Sequence, residues 1–331
     1  MSKPGYVANP LFTSLFPATS GNAINGLGET EIRRPSPFFW HPVNMHDFGA
    51  LQTEVINYHR RSPEISAEYS PARPRGPKPI EKAAIPVDKA PSEWAEAVKS
   101  FALKHEGDLV GIAATDPLYV YEGYEIPHPW LIMIGVTMDY DNLSQVPPSF
   151  ENPTSAVEVA RQYNRASRVC RELTNFILAQ GWEAEALNGP FAKSLNMIPA
   201  AIAAGLGQLG KHGQMINRTY GSSFRLSAVA TNMPLIADSP DDFGSDDFCT
   251  SCQVCSTACP PGAIFDTKQM VRGVEKWYVD FDKCAPYFSI TGGCAICIEV
   301  CPWSEEGRGE LLSQTLLKKR AAKARQPVAA E

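Results

Sequence analysis

Cys249, Cys252, Cys255 and Cys259 stand at C-x2-C-x2-C-x3-C spacing, with Pro260 directly after the last. Cys284, Cys294, Cys297 and Cys301, followed by Pro302, make a second set. Eight thiolates in this order are a ligand set for two 4Fe–4S clusters, which carry single electrons. The fourth Cys of such a run ligates the other cluster. The expected division is therefore Cys249, Cys252, Cys255 and Cys301 around one cluster, and Cys259, Cys284, Cys294 and Cys297 around the other. Pro260 and Pro302 should stop the local helix after each last ligand. Zinc usually takes two spaced pairs of ligands, and disulfides need an oxidising compartment. Neither fits a run of four closed by proline.

Two clusters need only about 60 to 80 residues on domain-size grounds, yet most of this 331-residue chain precedes Cys249. A hydrophobic content of 44 % suits a globular chain with a sizeable core. No run of 18 apolar residues exists, so no membrane span is expected. The N-terminus lacks a charged region followed by an apolar stretch, and neither Arg33-Arg34 nor Arg60-Arg61 precedes one. Only Cys170 falls outside the two sets, which suits a reducing, cytoplasmic compartment. A net charge of −6 argues against a nucleic-acid partner, because phosphate binding rests on Lys and Arg.

The elements that must position the cysteines follow from pattern. Residues 1–85 are rich in Pro and aromatics with little periodicity and read as an extended segment, with a strap around 70–80. SEWAEAVKSFALKHEG reads as a helix capped by Ser92, without a capping box, and ended by Gly107. Residues 109–115 and 130–138 read as buried strands, and 154–180 as a long amphipathic helix. Residues 197–207 read as a small-residue helix and 224–235 as a strand leaving through Pro234. Strands and helices alternate, so 86–240 is expected to be an α/β (or α+β) domain. Residues 241–310 would be a ferredoxin-like domain, and 311–331 a basic tail that could steer an acidic electron donor.

Gly205, Gly207 and Gly210 fit G-x-G-x-x-G, the dinucleotide fingerprint. The fingerprint needs a preceding strand and an acidic residue about 20 positions on. Here the preceding AIAA reads as helix, and no acid lies between Glu185 and Asp238. The glycines instead allow a backbone to lie against something bulky, a cofactor or another stretch of chain.

The stretch IPAAIAAGLGQLGKHGQMINRTYGSSFRLSAVATNMPL, followed by the two cysteine sets, resembles the corrinoid-dependent reductive dehalogenase family and its relative epoxyqueuosine reductase. The resemblance runs over roughly residues 108–304. It implies a nitroreductase-like corrinoid-binding domain followed by a bacterial-ferredoxin-like domain with two 4Fe–4S clusters. It also implies base-off cobalamin, a small organohalide, aromatic ones included, as substrate, and an external ferredoxin- or flavodoxin-type donor. Corrinoid contacts would come from Gly205, Gly207, Gly210, Lys211 and His212. The family's Tyr proton donor corresponds to Tyr163, its basic partner to Arg225, and its pocket Asn to Asn188, with Asn196 competing. Burial raises a phenol's pKa and a neighbouring guanidinium lowers it, which tunes a donor towards neutrality. Phe38, Phe39, Trp40 and His41, with Tyr119, Tyr121, Tyr124 and Trp130, are candidate walls for an aromatic substrate, though most should be core.

The chain departs from both relatives. The epoxyqueuosine enzymes use an Asp acid shortly before the glycine-rich element, and no Asp occurs between Asp141 and Asp238. The expected chain has no helical-repeat tRNA-binding region, no twin-arginine signal and no fused reductase module. The dehalogenases' Thr-Asp-Leu-Pro-Leu segment appears here as Thr231, Asn232, Met233, Pro234 and Leu235, and their Gly-Glu pair as Gly207-Gln208. The sequence reading is a compact catabolic-type dehalogenase, with tRNA modification and a corrinoid-free electron-transfer protein as alternatives.

Overall fold

A computed structural model describes residues 9–70, 72, 75–189 and 194–324. Its strands are β1 (Leu109–Ala114), β2 (Trp130–Thr137), β3 (Ala184–Asn188), β4 (Gln208–Leu209) and β5 (Met215–Ile216). They continue with β6 (Phe224–Thr231), β7 (Gln269–Val271) and β8 (Val274–Lys276). The main sheet has the order β1-β2-β6-β3 and is antiparallel at every pairing. The fold is therefore mixed α and β with an antiparallel sheet.

Alternation along the strands gives the sheet two apolar faces. Ile112, Ile132, Ile134, Val136 and Val229 pack against Ala166, Val169, Leu173 and Ile177 of the helix Thr154–Ala179. Trp94, Val98 and Ala102 of the helix Pro91–Lys104 complete that core. Cys170 lies there too, its thiol donating to the Ala228 carbonyl at 3.0 Å. On the opposite face Leu131, Met133, Ala228 and Ala230 meet Ala200 and Ala201 of the helix Met197–Ala203. That helix sits close because β1 carries Gly111, where a Cβ would lie 2.1 Å from the Ala204 carbonyl oxygen.

The cysteine lobe is built from short helices. Val254–Ala258 and Ile296–Glu299 stop just before Cys259-Pro260 and Cys301-Pro302, as the prolines require. The helix Phe281–Ile290 is capped by Asp280, whose carboxylate accepts the Lys283 N–H. The N-terminal segment is stitched to this lobe. Gly21 N–H donates to Asp282 at 2.8 Å, Leu27 bridges to Val271, and Phe38 and Phe48 pack on Phe281. The strap beyond residue 75 runs along the long helix, through Ser167 to the Arg75 carbonyl and Asn175 to the Lys78 carbonyl.

Four readings of the sequence need correction. Residues 49–61 form a 13-residue helix, where an extended segment was expected. Only Leu51, Val55 and Tyr58 mark its buried face, and buried Gln52 interrupts the apolar pattern. The helix at 91 begins two residues earlier than Ser92 predicts, with Ala90 as N-cap and Pro91 at the first helical position. Glu93 then accepts the Ala90 N–H at 2.9 Å, which is half of a capping box. The edge strand β3 was not foreseen, and the small-residue helix ends at Ala203 rather than reaching Gly207. Finally, the basic tail, whose default reading is a solvated helix end, is the helix Arg308–Ala324 docked on the cysteine lobe. Leu312 and Leu316 pack with Phe243 and Trp303, and Arg320 pairs with Asp242 and Asp247.

Candidate active site and cluster lobe

The eight thiols gather at two places. Cys249, Cys252, Cys255 and Cys301 line one small cavity together with Lys211, His212, Phe248 and Trp303. Cys259, Cys284, Cys294 and Cys297 line a second, much larger cavity of about 1220 Å³. Cys301 thus lines the small cavity with the first run, and Cys259 lines the large one with the second set. Burial pushes the Cys255, Cys284 and Cys301 thiols up to about 12, and the neighbouring thiols add to it. Such thiols stay protonated alone, whereas coordination to a metal deprotonates them.

Tyr163 and Arg225 line the same large cavity. Tyr163 comes from the long helix and Arg225 from β6, on the sheet face that this helix covers. The Arg225 Cζ lies 5.4 Å from the centre of the Tyr163 ring. Arg225 Nε is buried without a hydrogen-bond partner among the described residues. Gly189, just after β3, lets the chain pass beside the phenol, since a Cβ there would be 3.0 Å from Tyr163 Cε1. Tyr69 is a second phenol in the lining that the sequence did not single out. It follows the short helix Pro63–Glu68, stacks on His59 and lies under Arg75. Burial pushes it up to about 12, the Tyr163 phenol adds to the rise, and Arg75 and Arg225 oppose it.

The charge of the lining is one-sided. Arg33, Arg60, Arg75, Arg225, Arg272 and Lys276 contribute to it, and no Asp or Glu does among the described residues. Burial, then Arg272, pulls Lys276 down to about 8. Arg33 is paired with Glu29 at 2.7 Å, and the other cations leave the cavity lining net positive, which favours anions.

The structure redistributes the expected cofactor contacts. Gly205, Gly207 and Gly210 are absent from the cavity lining. Added Cβ atoms would strike Ser239 O at 2.7 Å, Ile216 O at 2.3 Å and Ile216 Cδ1 at 2.7 Å. Their backbone freedom serves close chain packing. Lys211 turns to the small cavity instead, and His212 borders both. Burial pulls His212 down to about 4. Its Nδ1 accepts the Gln214 N–H, so Nε2 carries the proton towards Ser222 Oγ at 3.2 Å. Asn188 ends β3 with its amide oxygen buried and unpaired, outside the lining, whereas Asn196 lies within it. Of the proposed aromatic walls, Trp40, Tyr119 and Tyr121 reach the cavity; Phe38 is core, and His41 packs on Tyr121.

Residues 248–304 match the family model described as 4Fe-4S dicluster domain. The tetrachloroethene reductive dehalogenase of Sulfurospirillum multivorans is 32% identical over 184 residues, covering 53% of this chain and 35% of that one. The likeness is to reductive dehalogenases. A solved reductive dehalogenase, reported with a mechanism for B12-dependent dehalogenation, matches in fold with TM-score 0.73 at 22% identity. It covers 94% of this chain and 47% of its own. The epoxyqueuosine reductase of Synechocystis sp. is 35% identical over 123 residues, covering 32% of this chain and 38% of that one. The chain spans about a third of the length of these curated relatives. No helix among the described residues is long and apolar enough to cross a membrane.

Proposed function

We propose that this chain is a corrinoid- and iron–sulfur-dependent oxidoreductase of the reductive dehalogenase type, removing halide from a small organohalide. One observation carries the reading. The cavity walled by Tyr163 and Arg225 is also walled by Cys259, Cys284, Cys294 and Cys297. A candidate proton donor and candidate cluster ligands thereby share one cavity.

The residues fit the groups this reading needs. A cavity of about 1220 Å³ exceeds the roughly 300–1,000 Å³ typical of small-molecule sites, which leaves room for a macrocycle beside a substrate. The cationic lining suits the phosphodiester of a cobalamin, and the unpaired Arg225 Nε suits a bound polar group. A bound corrinoid would supply the strongly reducing cobalt that cleaves the carbon–halogen bond. Cys259, Cys284, Cys294 and Cys297 would hold the cluster that faces the cavity; Cys249, Cys252, Cys255 and Cys301 would hold the one behind it. Electrons would come singly from an external ferredoxin- or flavodoxin-type donor.

In the net reaction the carbon–halogen bond breaks and halide leaves with its electron pair. The carbon receives two electrons from the donor and a proton from the Tyr163 hydroxyl, forming a C–H bond. Arg225, over the phenol ring, offsets the negative charge that grows as the proton departs. The epoxyqueuosine reading needs a carboxylic acid donor, and no carboxylate lines this cavity among the described residues.

Halide measured by ion chromatography tests the proposal directly. The loaded protein, given a low-potential reductant and a panel of haloaromatics and haloalkenes, should release halide in step with the dehalogenated product. Corrinoid-loaded protein that consumes reductant yet frees no halide from any of them would overturn the dehalogenase assignment.

A further inference from the structure

Lys211 is 1% exposed, one of the largest fully buried side chains in the molecule. Its ammonium donates to the Cys252 carbonyl at 2.7 Å and lies 5.1 Å from the centre of the Trp277 ring. No carboxylate pairs with it among the described residues. The nearby Asp246 is taken by Lys268 at 2.7 Å and by Trp277 Nε1 at 2.7 Å. A buried ammonium satisfied by a carbonyl and an aromatic face is costly unless a negative charge stands close. The groups that share its cavity are Cys249, Cys252, Cys255 and Cys301. Four thiolates around a cubane leave a net negative charge, and that charge grows by one on reduction.

The other cysteine set lines the cationic cavity, yet the charge nearest to it in the chain is a carboxylate that caps the helix carrying Cys284. Asp280, 9% exposed, caps that helix, and its backbone carbonyl accepts the Cys284 N–H at 2.9 Å. It is partly balanced by Lys283 at 3.1 Å and by Asn22 at 2.8 Å. No lysine occupies a place like that of Lys211 among the residues lining the large cavity near these four thiols. The Lys276 ammonium belongs to the β7–β8 hairpin with Arg272.

We infer that Lys211 is a built-in counter-charge for the cluster site of Cys249, Cys252, Cys255 and Cys301, raising its reduction potential above that of the other site. The inference rests on the cluster reading above and adds an ordering to it. A fixed cation favours the more negative, reduced form of a cluster, and a fixed carboxylate disfavours it. Lys211 thereby keeps an incoming electron at the site behind the cavity until an acceptor in the cavity draws it on. Because it acts through the cluster and touches no substrate, Lys211 is a positioning residue for charge.

The test is an EPR-monitored redox titration of the reconstituted full chain and its Lys211→Met and Lys211→Arg variants, with iron analysis. The wild type should show about eight iron and two separate midpoint potentials. Lys211→Met should move one potential to more negative values and leave the other in place, while Lys211→Arg keeps both. Loss of half the iron in Lys211→Met but not in Lys211→Arg would support the same role, since Arg keeps the positive charge and a donor for the Cys252 carbonyl while Met keeps neither. Unchanged potentials in Lys211→Met, equal shifts of both, or iron loss in both variants would overturn the assignment. A wild type holding markedly less than eight iron would instead sink the two-cluster reading beneath it.

Discussion

The guanidinium of Arg225 lies over the ring of Tyr163, 5.4 Å from its centre, and its Nε has no hydrogen-bond partner among the described residues. The two residues are far apart in sequence, and the packing of the helix Thr154–Ala179 on β6 brings them together. If this pair delivers the proton, Tyr163→Phe should lower turnover by roughly 10²–10⁴-fold, the range for loss of general acid catalysis. Iron content and melting temperature should stay near wild type. Full turnover in this variant would remove Tyr163 from the donor role.

Arg225 offers a graded companion. Arg225→Lys keeps the charge but loses the flat stack over the phenol, so a smaller loss is expected than for Arg225→Met. Comparing single-turnover rates of the two variants separates charge from shape. Equal rates for both would show that the cation is not what the phenol uses.

Gly111 couples the sheet to the cavity. Its missing Cβ admits the Ala204 carbonyl, and the helix just before it carries Ile198, Pro199 and Ile202 into the lining. Gly111→Ala meets backbone, which cannot swing aside as a side chain would. A destabilisation of about 1–3 kcal/mol, as for overpacked cores, should appear in denaturant titrations. A stability equal to wild type would mean the helix can lift without cost.

Lys276 makes the cavity sensitive to pH. Burial pulls its folded pKa from the ordinary 10.5 to about 8, so between these values the unfolded chain binds more protons than the folded one. Stability from this group therefore rises with pH from about 8 towards 10.5, and the penalty is fully present below 8. Lys276→Met should raise the melting temperature at pH 7 and flatten its pH dependence across that window. Retention of anions in the cavity should weaken as pH passes 8 in the wild type alone.

How much of this was legible beforehand depended on how local each signal is. The cysteine runs, β1, β2 and the long helix speak through spacing and periodicity within a few residues, and they stand where expected. The helix Gly49–Arg61 and the edge strand β3 did not, because each takes its buried face from partners far along the chain. Tyr69 and Lys211 were missed or misplaced for the same reason. One sits beside Tyr163 only after the N-terminal segment folds across the long helix. The other follows the glycine-rich turn, which aims it at the cysteines and away from the large cavity. The three glycines were ambiguous between cofactor and chain, and the sites where a Cβ would stand lie against other stretches of chain.

The interlock of the two cysteine sets predicts an asymmetric loss. Cys301→Ser should remove the site shared with Cys249, Cys252 and Cys255, while the site lining the large cavity stays filled. Iron should fall from about eight to about four per chain. A fall of iron to near zero would show that the two sites fill only together.

The most direct test of the central claim is cobalt and iron content, with EPR, after anaerobic expression with hydroxocobalamin. The account predicts about one cobalt and about eight iron per chain, with a base-off Co(II) signal. Eight iron with no cobalt would contradict it, leave an electron-transfer protein, and take the roles of Tyr163 and Arg225 away with the corrinoid.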